Sequence, residues 1–457
     1  MANPILEPEI RELLASQDYD TLRGLVESTH PETMADLLAA LEPEEIWQVL
    51  SRLPSETSAD IFTHLEDDIQ VAVVAPLGRG ELAELVTHMP ADERVDLLKN
   101  IPEEKQHTLL PALARAERED IRRLASYEEG TAGSVMTSDY ATLAPEMTAR
   151  EAIDRLRVAA PDKETIYYAY VVDEHRKLLG YVSLRDLILA RPGDRIDELM
   201  ERDAVYVEVN ADQEEAARQI SKFDLLALPV VDPSGALCGI ITHDDAMDVL
   251  TQENTEDLEK IMAIGGTHEA ADYMRTPALA HFRRRAGWVF ALAILGLVSG
   301  AIVEGFEEML TAYTILVVFM PMLVDTGGNT GSQSATLVVR ALALGELTPR
   351  DTARVLFKEF KVSIMLALML AIICFGRVWF FSPEAEMAIS VHVVAIAIAV
   401  ALGIQVISAT LIGAILPLGA SALKLDPAVV ASPALTTAVD ITGLIIYFNV
   451  VRLFLPL

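Results

Sequence analysis

Five apolar stretches after Arg285 constrain this chain more than any other feature, because each is long enough to cross a bilayer. A transmembrane helix needs about 20 predominantly apolar residues. Five such runs in so short a region exceed what the core of a soluble protein holds, so buried core helices are the disfavoured alternative. The sequence therefore predicts a helical membrane domain over 283–457. Its spans lie at roughly 286–306, 312–341, 360–381, 388–419 and 428–455.

Charge divides the chain into two unlike parts. The 457 residues carry a net charge of −32, yet 51% of them are hydrophobic and the mean hydropathy is +0.31. Residues 281–457 hold 11 of the 36 basic and 11 of the 68 acidic side chains, so the first 280 residues carry the whole −32. An acidic surface argues against nucleic acid as a partner and favours cations.

The loops between the spans predict an orientation. Arg283–Arg285 precede the first span, and five Lys or Arg residues lie in or beside the link between the second and third, whereas the next links on the other side are acidic. Positive loops stay in the cytoplasm. The N-terminus shows no signal-peptide pattern. We therefore expect a multi-pass protein of the cytoplasmic membrane, with its N-terminus inside and its C-terminus outside.

Regularly spaced prolines predict short stacked helices in residues 1–130. Pro31, Pro43 and Pro54 are 12 and 11 residues apart, and Pro90 and Pro102 are 12 apart. Each precedes acidic or polar residues and then an apolar pair, which is typical of a helix that begins at or near the proline. The expected fold is an acidic all-α superhelix.

Two similar segments follow, at 131–196 and 197–253. Val171-Val172-Asp173 matches Val230-Val231-Asp232 at a shift of 59, and the same shift carries Asp186 onto Asp245. Each segment has two apolar strands and then a Ser/Thr-x-x-Asp helix start, which predicts a repeated β-β-α unit. The layout resembles a tandem pair of CBS domains. That resemblance implies an adenine-nucleotide cleft, with Asp186, Arg185 and Tyr168 as candidate contacts; the alternative is that Asp186 and Asp245 only cap helices. Residues 254–282 read as a connecting helix, either a gate lever or a linker.

Two aspartates at membrane depth, Asp325 and Asp440, mark the candidate site, because ionisable residues inside a bilayer are costly. Near Asp325, glycines permit close helix packing or an unwound backbone with free carbonyls. Near Asp440, Ser432 and Thr436 recur at intervals of four and share one helix face. Hard cations prefer such oxygen ligands. The candidate site residues on these two spans are Asp325, Gly327, Gly328, Asn329, Gly331, Gln333, Ser432 and Thr436, with Asp440 as the candidate ligand of a hydrated divalent cation.

The segments GGNTGSQSAT and SPALTTAVDITGLIIYF, with the domain order, resemble the MgtE family of magnesium channels or transporters. The resemblance implies a homodimer in membrane lipid, a pore between the subunits lined by the second and fifth spans, hydrated Mg²⁺ at Asp440, and closure when cytosolic Mg²⁺ binds acidic surfaces. It also implies that the connecting helices act as a plug and that ATP tunes some members. The candidate sensing carboxylates are Asp257, Asp245, Asp224, Glu214 and Asp96.

Other functions stay open at this stage. A proton-coupled transporter of another substrate would use Asp325 and Asp440 as a relay, and a nucleotide sensor would use the spans only as an anchor. Ser432 and Thr436 stand where some family members have Asn and Ala, which leaves strict selectivity for Mg²⁺ open. No catalytic motif points to an enzyme.

Overall fold

The computed structural model describes residues 7–265, 276–381, 390–430 and 433–455. The chain divides into two compact units, Met1–Leu250 and Thr251–Leu457. Each unit has its own apolar clusters, and they are described in turn.

The first unit begins with short helices packed in succession, as the proline spacing predicts. Pro31 and Pro43 are the first residues of their helices, whereas Pro54, Pro90 and Pro102 stand one position before theirs. Apolar pairs such as Leu37–Leu38 are fully buried between neighbours. The helices are α1 (Glu7–Ser16), α2 (Tyr19–Glu27), α3 (Pro31–Leu38), α4 (Pro43–Leu50), α5 (Ser55–Thr63), α6 (Asp67–Val74), α7 (Arg79–Thr87), α8 (Ala91–Asn100), α9 (Glu103–Leu109) and α10 (Arg115–Leu124).

Two small mixed sheets follow, in strand orders β1-β2-β3 and β4-β5-β6. In each sheet the first pair is parallel and the second antiparallel. The predicted β-β-α unit therefore occurs twice, each time preceded by a further strand and helix. The elements are β1 (Tyr140–Leu143), α11 (Ala149–Ala159), β2 (Thr165–Val172), β3 (Leu178–Ser183), α12 (Leu184–Leu189), α13 (Ile196–Leu199), β4 (Val207–Glu208), α14 (Gln213–Phe223), β5 (Ala227–Val231), β6 (Leu237–Thr242) and α15 (His243–Ile261).

The repeated glycines, Gly180 and Gly239, have a structural reason. A Cβ atom on Gly180 would lie 2.2 Å from the carbonyl oxygen of Glu201, and one on Gly239 would lie 2.8 Å from that of Thr137. In each copy another backbone segment crosses the strand at this point, and only glycine leaves room for it.

The boundary predicted between residues 253 and 254 falls inside a helix. Helix α15 continues from the second CBS copy through Ile261, because residues 243–261 contain neither glycine nor proline. The remainder of the predicted connector includes 266–275, which lies outside the described residues.

The second unit consists of long helices. They are α16 (Ala278–Glu304), the short α17 (Glu307–Ala312), α18 (Ile315–Ala343), α19 (Thr352–Phe381), α20 (Val391–Ala422) and α21 (Pro433–Phe454). Among the described residues, four helices are long and apolar enough to span a bilayer, at 278–304, 349–381, 391–422 and 434–454. The remaining predicted span, the second in chain order, corresponds to α18, which at 29 residues is about 44 Å long. Its polar run from Asp325 to Ser334 lowers its hydropathy.

Helix α20 packs against α18, α19 and α21. Side chains such as Ile398 and Leu402 are buried against the aromatic pair Tyr447 and Phe448 of α21. The Tyr447 hydroxyl donates a hydrogen bond to the carbonyl of Leu316 at 2.9 Å, which joins α21 to the start of α18. The arrangement confirms the predicted class, an α-helical membrane protein with an all-α superhelix and an α+β CBS pair.

Candidate functional site

Helices α18 and α21, which carry the two intramembrane aspartates, pack directly against each other. A Cβ atom on Gly328 would lie 3.3 Å from the Thr436 methyl group, and one on Gly327 would lie 3.1 Å from Val439. Helix α18 is continuous through its glycines and through Pro321. Of the two uses predicted for these glycines, the structure shows close packing and not an unwound backbone.

A buried amide occupies the space that the glycines leave. Gln405 of α20 is fully buried, and its Nε2 donates a hydrogen bond to the carbonyl of Val439 at 2.9 Å. Cβ atoms added to Gly327 and Gly443 would lie 2.6 and 2.4 Å from that same nitrogen. Gln405 therefore fixes the backbone of α21 one residue before Asp440.

A second glycine contact brings α18 and α20 together. The carbonyl oxygen of Gly331 would lie 2.2 Å from a Cβ atom on Gly413, so no other residue fits there without movement of a helix. Gly331 itself approaches the carbonyl of Ala409 on the opposite side of the contact. Through these contacts the backbones of α18 and α20 touch directly.

The Asp440 carboxylate is an unsatisfied group at membrane depth. Its residue is partly exposed, but Oδ1 is buried and makes no hydrogen bond within the described part of the chain. Thr436 lies one turn earlier on the same helix face. A buried carboxylate oxygen without a donor is costly unless a cation or water meets it.

Helix α18 also presents a polar stripe on the outside of the subunit. Asp325, Asn329 and Thr336 are exposed and Ser332 is partly exposed, at intervals of three and four residues that place them on one face. Lipid tails cannot satisfy such groups. This face therefore requires water or another protein surface.

Two other predicted pore residues have different positions. Gln333 lines a cavity between α18 and α19, away from the glycines that contact α21. Ser432 lies outside the described residues. A pore-lining role for these residues, and for the packed glycines, stays a prediction.

An acidic cluster connects the N-terminal helices with both CBS copies. Asp92 and Glu93 of α8 lie near Asp245 of the second copy and Glu164 of the first. Burial and then the charge of Asp245 raise the pKa of Asp92 well above its usual value. Burial, followed by the charges of Asp96 and Asp245, raises the pKa of Glu93 to about 8.

This cluster brings two of the five predicted sensing residues, Asp96 and Asp245, close to Glu93. The sequence analysis missed Asp92, Glu93 and Glu164, since only folding brings these distant positions together. Asp92 Oδ1 is buried without a hydrogen bond among the described residues. Burial raises the pKa of Asp245 to about 6, against hydrogen bonds from Thr242 that lower it. No group of three or more His, Cys, Asp or Glu side chains in the described regions is already arranged as a metal site.

Two further sensing candidates have local roles in the structure. Asp224 ends α14 in the left-handed conformation, with φ of 52°. Glu214 forms an ion pair with Arg218 one turn away on the same helix. Neither residue is placed in the cluster around Glu93.

The fifth sensing candidate, Asp257, lies beside a contact between α15 and the loop before α21. Lys260 Nζ is 2.8 Å from Asp426 Oδ2 and 2.5 Å from Glu256 Oε1. Burial and then the charge of Asp426 raise the pKa of Asp257. Ile261 packs against an apolar cluster that includes Val339. The end of the connector thus contacts the helices that carry the candidate site.

The candidate nucleotide contacts, Asp186, Arg185 and Tyr168, lie in or beside the first CBS sheet. Asp186 accepts a hydrogen bond from the Ser183 hydroxyl, and Asp245 accepts one from Thr242, so both aspartates take part in capping helix starts. The Tyr168 ring makes an edge contact with Tyr181 at 5.3 Å between centroids. Arg185 is exposed. Both the capping role and a free cationic side chain for phosphate are therefore present.

The fold and the site together define a helical membrane protein of the transporter class that carries a CBS pair. A family model described as divalent cation transporter matches residues 320–450, the MgtE intracellular N domain matches 29–130, and CBS domains match 132–193 and 196–252. The chain belongs to the MgtE family of magnesium transporters.

Similar proteins cover almost the whole chain. It is 39% identical to the magnesium transporter MgtE of Thermus thermophilus, over 98% of both chains. It is 32% identical to the MgtE of Bacillus subtilis, over 95% of this chain and 94% of that one. A similar solved structure is the crystal structure of the cytosolic domain of the Mg²⁺ channel MgtE in complex with ATP. Its sequence is 39% identical to this chain, the match covers 53% of this chain and 100% of that one, and the TM-score is 0.51.

Proposed function

We propose that two copies of this chain form a channel that imports Mg²⁺, or divalent cations with a preference for Mg²⁺, across the cytoplasmic membrane. The observation that carries the proposal is Asp440, whose buried carboxylate oxygen has no hydrogen-bond donor among the described residues. The names of the similar transporters and the polar stripe on α18 support it.

The chemistry of Mg²⁺ explains why one aspartate per subunit is enough. Mg²⁺ gives up its hydration water reluctantly and is usually bound through one or two carboxylates with several waters retained. Two Asp440 carboxylates across a dimer axis would hold such an ion, and Ser432, Thr436 and Asn329 would contact its waters. A membrane potential of 100 mV contributes about 4.6 kcal/mol to the entry of a doubly charged ion.

The polar stripe on α18 gives a reason for the dimer. Its exposed side chains, including Asp325, face away from the other helices of the subunit. A second copy, with a water-filled path between the two, would satisfy them without exposure to lipid. Gly327 and Gly328 would then contribute by holding α18 close to α21, and Gly331 by holding it close to α20.

Closure by cytosolic Mg²⁺ is proposed for the acidic cluster. Burial, and after it repulsion by neighbouring carboxylates, raises the pKa values of Asp92 and Glu93 and disfavours their ionised forms. Mg²⁺ between them would remove this repulsion and stabilise the compact form. Asp96 lies beside Glu93 in the same cluster. Asp224 and Glu214 lie apart from it and are proposed as separate, weaker ligands of cytosolic Mg²⁺.

The connector would carry this signal to the membrane. Lys260 and Ile261 contact the loop before α21 and the end of α18. Asp257 would bind a further ion near Asp426, and the connectors of two subunits would close the path. ATP in the CBS cleft, with Asp186, Arg185 and Tyr168 as its contacts, would adjust the response. The domain limits 1–130, 131–196, 197–253, 254–282 and 283–457 and an N-terminus in the cytoplasm belong to the same proposal.

Mg²⁺ uptake into proteoliposomes tests the proposal. Asp440→Ala should abolish uptake and Asp440→Asn should reduce it strongly, because the amide keeps the shape but not the charge. Asp351→Asn is the matched control, since Asp351 only caps the start of α19 and pairs with Arg354. Uptake at the wild-type rate through Asp440→Ala would rule out this role. A proton flux into the proteoliposomes that persists without divalent ions would instead favour a secondary transporter of another substrate.

A further inference from the structure

A cavity of about 470 Å³ lies between α18, α19 and α20, where α18 ends and α19 begins. Three cationic side chains line it, from Arg340, Arg354 and Lys358, together with the carboxylates of Glu346 and Glu359. Ser334 donates a hydrogen bond to Glu359 at 3.0 Å. Arg354 also pairs with Asp351 at 3.2 Å, next to the cavity, so Arg340 and Lys358 are the cations that would meet a ligand.

Much of the remaining wall of this cavity is apolar. It includes Leu337 and Val338 of α18 and Val362 and Leu366 of α19. Leu337 is 60% exposed, so the apolar wall continues onto the outer surface of the helices. A cationic rim joined to an apolar wall suits a ligand with an anionic head and a hydrocarbon chain, and it does not suit a free nucleotide.

The position of the cavity agrees with such a ligand. Arg350 lies just before α19 and Arg354, Lys358 and Lys361 lie in its first three turns, whereas its opposite end has one basic residue, Arg377, among aromatic side chains that include Trp379. Basic residues mark the cytoplasmic side of a membrane, and pockets of this kind between membrane helices bind anionic lipid headgroups.

We propose that this cavity binds the phosphodiester headgroup of an anionic phospholipid, with an acyl chain along Leu337, Val362 and Leu366. Arg340 and Lys358 would hold the single negative charge of the phosphodiester, since Arg354 already pairs with Asp351. Assignment to the cytoplasmic leaflet rests on the orientation proposed above. Thr330 and Gln333 also line the cavity, so the lipid contacts the helix that bears the polar stripe and supports its position.

Lipid retention by the full-length protein tests this site without reference to transport. Native mass spectrometry of protein extracted from mixed phosphatidylglycerol and phosphatidylcholine vesicles should show preferential retention of phosphatidylglycerol. The double variant Arg340→Gln/Lys358→Gln should lower that retention about 30-fold, since each basic residue near the surface contributes about 1 kcal/mol. Lys358→Arg should retain the lipid as the wild type does.

Matched controls separate this site from a general charge effect. Lys361→Gln/Arg377→Gln removes two charges from the same helix outside the cavity and should leave retention unchanged; an equal loss in both double variants would overturn the proposal. Displacement of phosphatidylglycerol by millimolar inorganic phosphate would also overturn it, because the site would then bind soluble phosphate. Asp440→Ala should retain the lipid, so failure of the proposed channel function is distinguishable from failure of this inference. Thermal melting of each variant confirms that it is folded.

Discussion

Gly443→Ala perturbs the contact that positions Asp440. The new methyl group would lie 2.4 Å from Gln405 Nε2 and 2.7 Å from its Cδ. Gln405 has little room to move toward α18, because its amide already packs so closely on Gly327 that a Cβ atom there would lie 2.6 Å from Nε2. The amide must therefore leave the carbonyl of Val439.

Overpacking and the loss of a hydrogen bond together set the expected loss of unfolding free energy. Overpacking a well-packed core costs about 1–3 kcal/mol. Loss of one hydrogen bond adds about 0.5–1.5 kcal/mol, and the Val439 carbonyl keeps a bond from the Thr442 hydroxyl at 3.1 Å, so it is not left unsatisfied. The expected loss of unfolding free energy is about 1.5–4.5 kcal/mol. Mg²⁺ uptake should fall with it, because Asp440 lies one turn before Gly443.

Equilibrium unfolding in mixed micelles measures this loss, and a double-mutant cycle with Gln405→Ala identifies its cause. Removing the Gln405 side chain gives the added methyl group room, so the double variant should be more stable than the sum of the single effects by at least about 1 kcal/mol. Gly376→Ala is the matched control, since nothing lies within 4 Å of its added methyl group. It should be neutral or slightly stabilising. Additive effects of Gly443→Ala and Gln405→Ala would refute the reasoning.

The remaining predictions concern the connector, the acidic cluster and the helix bundle. Lys260→Met should raise Mg²⁺ uptake at millimolar cytosolic Mg²⁺, where the wild type is closed, because the connector loses its bond to Asp426, and Lys260→Arg should behave as the wild type; unchanged uptake in the Met variant would contradict the coupling. The pKa of Glu93 is raised to about 8, so the folded cluster binds more protons than the unfolded chain, and its stability should fall as the pH rises from about 4.5 to 8. Protection of the full-length protein from protease by Mg²⁺ should accordingly be greater at pH 8 than at pH 6, where protons compete for the carboxylates, and equal protection at both would count against the cluster. Tyr447→Phe should cost about 0.5–1.5 kcal/mol of unfolding free energy through its bond to Leu316, and a wild-type melting curve would show that this bond does not stabilise the bundle.

Periodic and repeated features were predictable from the sequence. Apolar runs predicted the long helices, the proline spacing predicted the short ones, and the shift of 59 aligned two real sheets. These signals are local, so they do not depend on how distant segments meet. Helix α18 is less easily recognised as a span, because the polar side chains that predict a site in it also lower its mean hydropathy.

Non-local contacts were not predictable. Gln405 is a single amide in an apolar run, and nothing in the sequence indicates that Gly327 and Gly443 surround it. Its only signal is that it is the one amide side chain of α20, and such groups in membrane helices usually bond across to a neighbouring helix. Asp92 and Asp245 come together only through the fold, and their short acidic stretches resemble many others in the first half. The choice between packed and unwound glycines likewise depended on the partner helices.

Recording from excised membrane patches, with Mg²⁺ varied on the cytoplasmic face, tests the central claim most directly. We predict that the wild type carries a Mg²⁺ current that millimolar cytosolic Mg²⁺ closes, and that folded Asp440→Asn carries almost none. A Mg²⁺ current of wild-type size through Asp440→Asn would contradict the role assigned to this carboxylate.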